Sequence, residues 1–292
     1  MYRVDNAIIM AAGTSSRFAP LSYETHKGLL TVRGEVLIER QIRQIKDAGI
    51  DSVVLVAGYM KERFEYLKDK FGITIVENPE YGRRNNHSSI YAARHLLANS
   101  YICSSDNYFT QNPFESSVDD AYYAALYAEG STPEWCVYEG KDGYIDRVSV
   151  GGENAWYMMG HVFWNEKFSR KFVEILEQEY DTPEIKNKLW EAVYAEHLDE
   201  LKLRIRKYDD SFIFEFDSLD ELRGFDESYV DDTRSGIIRD LSARLSCREA
   251  ELKCFNALKE TDGTQAVGFT FRCGENEYKY YYKNERLERK NG

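Results

Sequence analysis

Residues 7–10, Ala-Ile-Ile-Met, form an unbroken apolar run near the start of the chain, and together with the small and cationic residues directly after it this run restricts the fold more than any other feature. A run of this kind suits a strand buried on both faces of a parallel sheet. Ala11, Ala12, Gly13, Thr14, Ser15 and Ser16 come next, small enough to let backbone N–H groups approach an anion closely. Arg17 and Lys27 then supply fixed positive charge. Strand, small-residue turn and two cations together make a cradle for a polyphosphate, with charge placed to offset what develops at a reacting phosphorus. Lys27 lacks the spacing of a Walker A lysine and the turn lacks G-x-G-x-x-G, which disfavours P-loop and dinucleotide readings.

The rest of the first half keeps the same rhythm. Val36, Leu37, Ile38, Ile42 and Ile45 fall at helical spacing and Gly49 ends the run; residues 53–57 then read as a second buried strand. Helix is expected over 61–71, strand over 73–76, helix over 88–97 and strand over 101–104. Strands alternating with helices predict an α/β fold, doubly wound around a mainly parallel sheet. Ligands of such sheets bind beyond the carboxyl ends of the strands, where Gly13 and Asp106 fall. From residue 122 the pieces become strand-rich (122–127, 135–138, 144–150, 157–164), followed by helices over 167–179 and 183–197. Strands over 203–207 and 212–216 lead to a helix starting at Ser218.

The acidic, turn-prone run 226–235 reads as a linker. Beyond it, helix is expected over 236–258 and a hairpin from 266–273 and 278–282 around Gly274, Glu275 and Asn276. The expected organisation is therefore a main domain over 1–225, a linker and a small α+β appendix over 236–292. An appendix of that size needs to dock on the main domain or on a second subunit. Its helix also suits a homodimer contact.

Bulk properties exclude several classes. The net charge of −12 argues against a nonspecific nucleic-acid binder, which would show a basic face. Cys103, Cys136, Cys247, Cys254 and Cys273 contain no C-x-x-C pair, so neither a disulfide framework nor a zinc site is indicated. No apolar window approaches the ~18 residues of a membrane span and no signal region opens the chain, so a cytoplasmic protein is expected. The five histidines show neither metal-ligand spacing nor a triad.

Asp106 sits in SSDNYF just past an apolar strand, and Glu215 and Asp217 sit in FIFEFDS at the end of another. Residues two apart on a strand share a face, which directs Glu215 and Asp217 to one site. Hard carboxylates suit Mg²⁺, generally one or two from protein with water and phosphate oxygens completing the shell. Such an ion would neutralise a triphosphate and activate its α-phosphorus.

The pattern around Gly13 resembles that of nucleotidyltransferases, with Ser15 where a second Gly is usual and His26 where a Pro precedes the Lys. More narrowly, residues 5–225 resemble the bacterial choline-phosphate cytidylyltransferases. The pieces that carry this are the phosphate turn, LIERQIRQIKDAGI, VAGYMKERFEYLKDKFG, NNHSSIY, ANSYICSSDNYF, PEWCVYEG, the Trp190 region and FEFDSLDEL. The resemblance implies a Mg²⁺-dependent transfer of CMP from CTP to phosphocholine, giving CDP-choline and pyrophosphate. By it, Arg17 and Lys27 bind and polarise phosphates, and Ala11, Ala12, Gly13, Thr14, Asn85, Asn86 and Ser89 form the nucleotide pocket. Asp106 and Asp217, with Glu215 alongside, hold the metal. Ser104 departs from the pattern, since relatives often carry an acid there.

A quaternary ammonium has no N–H to donate and is best held by aromatic faces. Trp135 and Trp190, matching aromatic positions of the family, and Tyr138 are the acceptor candidates. A related family acts on 2-aminoethylphosphonate, whose primary ammonium wants carboxylates instead, and Glu134, Glu139 and Glu191 could serve it. The acceptor stays open between these and other phosphorylated alcohols, and a catalytically silent nucleotide sensor is the rival from a different class.

Overall fold

A computed structural model describes residues 1–259 and 266–290. Residues 260–265 and 291–292 of the expected appendix lie outside the described residues. The chain forms two compact units, one of Met1–Gly13 with Ile38–Glu215 and one of Thr14–Leu37 with Phe216–Gly292. The division differs from the boundary expected near residue 225. Residues 14–37, which carry both cations of the phosphate turn, belong with the C-terminal segment.

In the first unit, β1 (Asn6–Ala11), β2 (Val53–Ala57), β3 (Thr74–Glu77) and β4 (Ser100–Ser104) lie parallel in the order β3-β2-β1-β4. β5 (Tyr122–Glu139), β6 (Ile145–Trp164) and β7 (Arg204–Lys207) complete a seven-stranded sheet. Within it β6 pairs antiparallel with β4 and with β5, while β5 and β7 pair in parallel. Ala7, Ile8 and Ile9 of β1 and all of β2 are buried, as continuous apolar strands inside a doubly covered sheet must be. The helices are α1 (Leu37–Asp47), α2 (Tyr66–Phe71), α3 (His87–Ala93), α4 (Glu166–Glu179) and α5 (Trp190–Glu196). Ile38, Ile42 and Ile45 of α1 are fully buried, which is the stripe the sequence predicts.

Three expectations for this unit are corrected. The four pieces expected between 122 and 164 are two long bulged strands, and Cys136 pairs with both Ser149 and Tyr157, so the hairpin turns back on itself. The expected strand over 212–216 reduces to Ile213–Phe214, paired with Tyr108–Phe109. Helix begins at Trp190 rather than 183, because residues 186–188 turn their carbonyls outward. Lys186 O accepts from the Asn85 N–H at 3.2 Å, Asn187 O accepts from Asn85 Nδ2 at 3.0 Å, and Lys188 O lies 2.8 Å from His87 Nδ1.

In the second unit, α6 (Leu219–Phe225) and α7 (Gly236–Leu245) accompany a four-stranded antiparallel meander of β8 (Leu252–Lys259), β9 (Ala266–Cys273), β10 (Asn276–Tyr281) and β11 (Arg286–Arg289). The expected helix over 236–258 ends at Leu245, where Ser246 takes a left-handed conformation (φ 52°). Residues 252–259 join the sheet instead. Phe269 and Phe271 are fully buried at its centre. The expected linker 226–235 is packed rather than free: Tyr229, Thr233 and Ser235 are buried, and the Glu249 carboxylate accepts from the Thr233 N–H at 2.7 Å.

Candidate functional site

β1 delivers the phosphate turn. Ala11 and Ala12 are buried, whereas Gly13 is exposed and a Cβ built on it would meet nothing within 4 Å. β2 props the turn from the side, for Tyr59 N–H donates to Ala12 O at 3.0 Å and a Cβ on Gly58 would stand 2.9 Å from that oxygen. In the second unit Ser15 has φ 47°, a left-handed backbone that glycine adopts at no steric penalty. That conformation explains why glycine is usual there in the pattern the sequence resembles, and it is kept here with a serine.

Arg17 lies in the single turn Ser16–Phe18 and Lys27 opens the turn Lys27–Leu29, where His26 Nδ1 accepts from the Gly28 N–H at 3.1 Å. Both cations meet one carboxylate. Arg17 Nη1 stands 2.5 Å from Asp217 Oδ2, and Lys27 Nζ stands 3.6 Å from Asp217 Oδ1. Lys27 is 4% exposed, whereas Arg17 is open to solvent. An enclosed ammonium acts on a neighbouring phosphate through less screening water than a surface one does. Asp217 is fixed by the start of α6, where its N–H donates to Glu221 Oε2 at 2.8 Å and Ser218 Oγ caps the helix.

The remaining acids belong to the first unit. Asp106 lies just beyond the end of β4, and the Phe214–Tyr108 pairing sets Glu215 opposite Asn107, whose Nδ2 donates to Glu215 Oε2 at 3.2 Å. The strand that would align Glu215 with Asp217 ends at Phe214, so a shared strand face does not relate them. α1 braces this loop with side chains the apolar pattern did not reveal. Gln41 Nε2 donates to Ser104 O at 3.0 Å, and Gln44 Nε2 and Arg40 Nη2 donate to Phe109 O at 3.2 and 3.1 Å. Among the described residues no three His, Cys, Asp or Glu side chains form a metal-binding group. Mg²⁺ requires only one or two carboxylates, and the hard oxygen donors of Asp106, Glu215 and Asp217 suit it chemically.

The Asn85–Ser89 stretch is committed to protein contacts. Asn86 Oδ1 accepts from the Trp190 N–H at 2.8 Å and its Nδ2 donates to Glu191 Oε2 at 3.1 Å, so it anchors α5. Ser89 Oγ accepts from Asn78 Nδ2 at 3.1 Å, and Asn78 is a buried residue that sequence reasoning missed. Its one signal is the Asn78-Pro79 turn pair after β3. Asn85 is exposed.

The aromatic candidates separate. Trp190 is 1% exposed, stacks on Tyr123 at 5.5 Å and packs edge-on to Trp164, so it is a core ring rather than an open face, a correction imposed by its burial. Tyr138 carries the Arg147 guanidinium on its ring at 3.4 Å. Trp135 is half-buried against the main core and pairs across the hairpin with Val150. Of the three glutamates, Glu134 and Glu139 are exposed, whereas Glu191 is enclosed and accepts from Tyr123 Oη at 3.2 Å. Burial pushes its carboxyl up to about 7, against the pull of the Asn86 and Tyr123 hydrogen bonds.

Residues 7–125 match the MobA-like NTP transferase domain family. A choline-phosphate cytidylyltransferase of Streptococcus pneumoniae is 33% identical over 221 residues, 76% of this chain and 96% of that protein. A 2-aminoethylphosphonate cytidylyltransferase of Lancefieldella rimae is 34% identical over 229 residues, 77% of this chain and 93% of that one. The solved CTP:phosphocholine cytidylyltransferase of Streptococcus pneumoniae superposes with a TM-score of 0.74 at 33% identity, covering 78% of this chain and 99% of its own. An inositol-1-phosphate CTP transferase from T. maritima, at 16% identity and a TM-score of 0.59 over 74% of this chain and 91% of its own, shares the fold. The class these matches define is that of nucleotidyltransferases. Within it, the chain belongs to the bacterial choline-phosphate cytidylyltransferase family, and its activity is that of a cytidylyltransferase. No helix among the described residues is long and apolar enough to cross a membrane.

Proposed function

We propose that the chain transfers CMP from CTP to phosphocholine. An oxygen of the phosphomonoester attacks the α-phosphorus of CTP, the bond from that phosphorus to the bridging oxygen breaks, and pyrophosphate leaves with the negative charge. Such an oxygen is already nucleophilic near neutral pH, so no general base is needed and alignment with charge neutralisation supplies the acceleration. The observation that carries this reading is the pairing of Arg17 and the enclosed Lys27 around Asp217. Both cations are tied to one point, which suits neutralising a triphosphate.

The turn Ala11–Ala12–Gly13–Thr14 offers backbone N–H groups to phosphate in this proposal, with Asn85, Asn86 and Ser89 bordering the nucleoside. Asp106 and Glu215 of the first unit, and Asp217 of the second, are the carboxylates proposed as ligands for Mg²⁺. A bound Mg²⁺ would withdraw charge from the triphosphate oxygens. Trp135 is the aromatic face proposed for the choline ammonium, and Tyr138 contributes to the same hairpin wall. Glu191 favours a second acceptor, 2-aminoethylphosphonate. Its carboxylate is enclosed with neutral partners, as a primary ammonium would want.

Pyrophosphate release with CTP and a panel of acceptors tests both readings. Turnover with phosphocholine at least tenfold above 2-aminoethylphosphonate supports the first, and the reverse ranking replaces it with the second. Chelation of divalent cations should abolish release and added Mg²⁺ should restore it; undiminished release in excess chelator would remove the metal from the proposal.

A further inference from the structure

The segment carrying Arg17 and Lys27 is tied at several points to residues beyond 225, where the family resemblance of the sequence motifs ends. The strongest tie is Glu24, which lies between the two cations in sequence. Its Oε1 accepts from the backbone N–H groups of Gly236 at 2.9 Å and Ile237 at 3.3 Å, and its Oε2 accepts from Ser235 Oγ. These are the first, otherwise unsatisfied N–H groups of α7, where a carboxylate is favoured by the helix dipole. The approach is close, for a Cβ on Gly236 would stand 3.2 Å from Glu24 Oε1.

Five more contacts flank it. Tyr23 stacks flat on Tyr282 of the meander, with centroids 3.8 Å apart and planes 3° from parallel. Thr31 O accepts from Tyr229 Oη at 2.9 Å and from Arg234 Nη1 at 2.6 Å. Arg33 N–H donates to Asp226 Oδ2 at 2.6 Å, and its guanidinium lies 3.8 Å over the Phe225 ring. Lys27 is thus bracketed by anchors three residues before it and four after it.

We propose that α7 and the C-terminal meander serve the nucleotidyl transfer by holding residues 17–33 in register, with Glu24 as the principal positioning residue. Glu24 touches neither nucleotide nor acceptor in this scheme; it sets where the Lys27 amine stands relative to Asp217. A displacement of about 1 Å of a charge aimed at a reacting phosphate lowers turnover far more than it weakens binding. The inference rests on the proposed role of Lys27 and Arg17 toward phosphate.

The test uses the full-length chain with Glu24→Ala, Tyr282→Ala and Tyr282→Phe, read by steady-state kinetics and by amide hydrogen exchange over residues 14–37. Expected for Glu24→Ala are a kcat lowered about tenfold, a KM for CTP within about twofold, and faster exchange across 26–33. Tyr282→Ala should move both quantities in the same direction, and Tyr282→Phe, which keeps the stacked face, should restore both. Should Glu24→Ala fail to fold, the Tyr282 pair carries the same comparison. Unchanged kcat beside faster exchange would overturn the catalytic role, and unchanged exchange would overturn the clamp itself. A wild-type chain without turnover on any acceptor would instead overturn the functional reading, leaving exchange to decide whether the clamp exists.

Discussion

The sheet unit and the unit built on the C-terminal segment differ in how their parts find each other. β1, β2 and β4 are members of one alternating pattern, and each buries a continuous apolar run whose neighbours come within about a hundred residues. The second unit joins residues 14–37 to residues 216–290. Its ties include carboxylates on backbone N–H groups, a tyrosine stack and an arginine on an aromatic ring. The lesson is that periodicity finds burial, whereas polar ties between distant segments leave no periodic trace.

Core truncations should give the largest effects and sharpen that contrast. Ile9→Ala in β1 and Phe269→Ala in β9 each remove a fully buried side chain and should lower stability by about 3 to 5 kcal/mol in urea unfolding. Amide exchange should rise across β1, β2 and β4 in the first and across β8–β10 in the second. A loss below about 1 kcal/mol for Phe269→Ala would mean the meander has no packed core of its own.

Lys27→Ala comes next, with an expected fall in kcat of about a hundredfold or more against a smaller loss of CTP affinity. Titration calorimetry alongside initial rates separates the two, and equal losses would contradict a charge aimed at the reacting phosphate.

Glu191 gives a pH signature confined to the first unit. Its carboxyl holds its proton up to about 7, whereas the unfolded chain releases it near the ordinary glutamate value of 4.5. Between those values the folded state binds more protons, so this group's contribution to stability falls as pH rises from about 4.5 through 7. Glu191→Gln should remove that decline and gain on the order of 3 kcal/mol over wild type at pH 8 relative to pH 4. Parallel stability profiles for the two proteins would show that Glu191 is more hydrated than its surroundings indicate.

The smallest effect is expected at the N-cap of α4. Asn165 Oδ1 accepts from the Phe168 N–H at 2.9 Å, and Asn165→Ala should lower Tm by a few degrees, corresponding to about 1 kcal/mol. No measurable change would place that helix end among contacts that packing alone secures.

By itself the sequence determined the alternating core, the order of strand and helix up to residue 104, and the residue types of the phosphate turn. It did so because burial on both faces of a parallel strand demands an unbroken apolar run, and a close backbone turn demands small residues. The family was legible for a related reason, since its motifs lie within the first 225 residues. Only the tertiary structure decided that Trp190 is a core ring stacked on Tyr123, and that Asn86 and Tyr123 also hold the carboxylate of Glu191 beside it. It likewise decided that Asp217 meets Arg17 and Lys27, and that Glu24 caps a helix more than two hundred residues away. Contacts of that kind depend on where two segments cross in space, a relation that no local spacing of residues encodes.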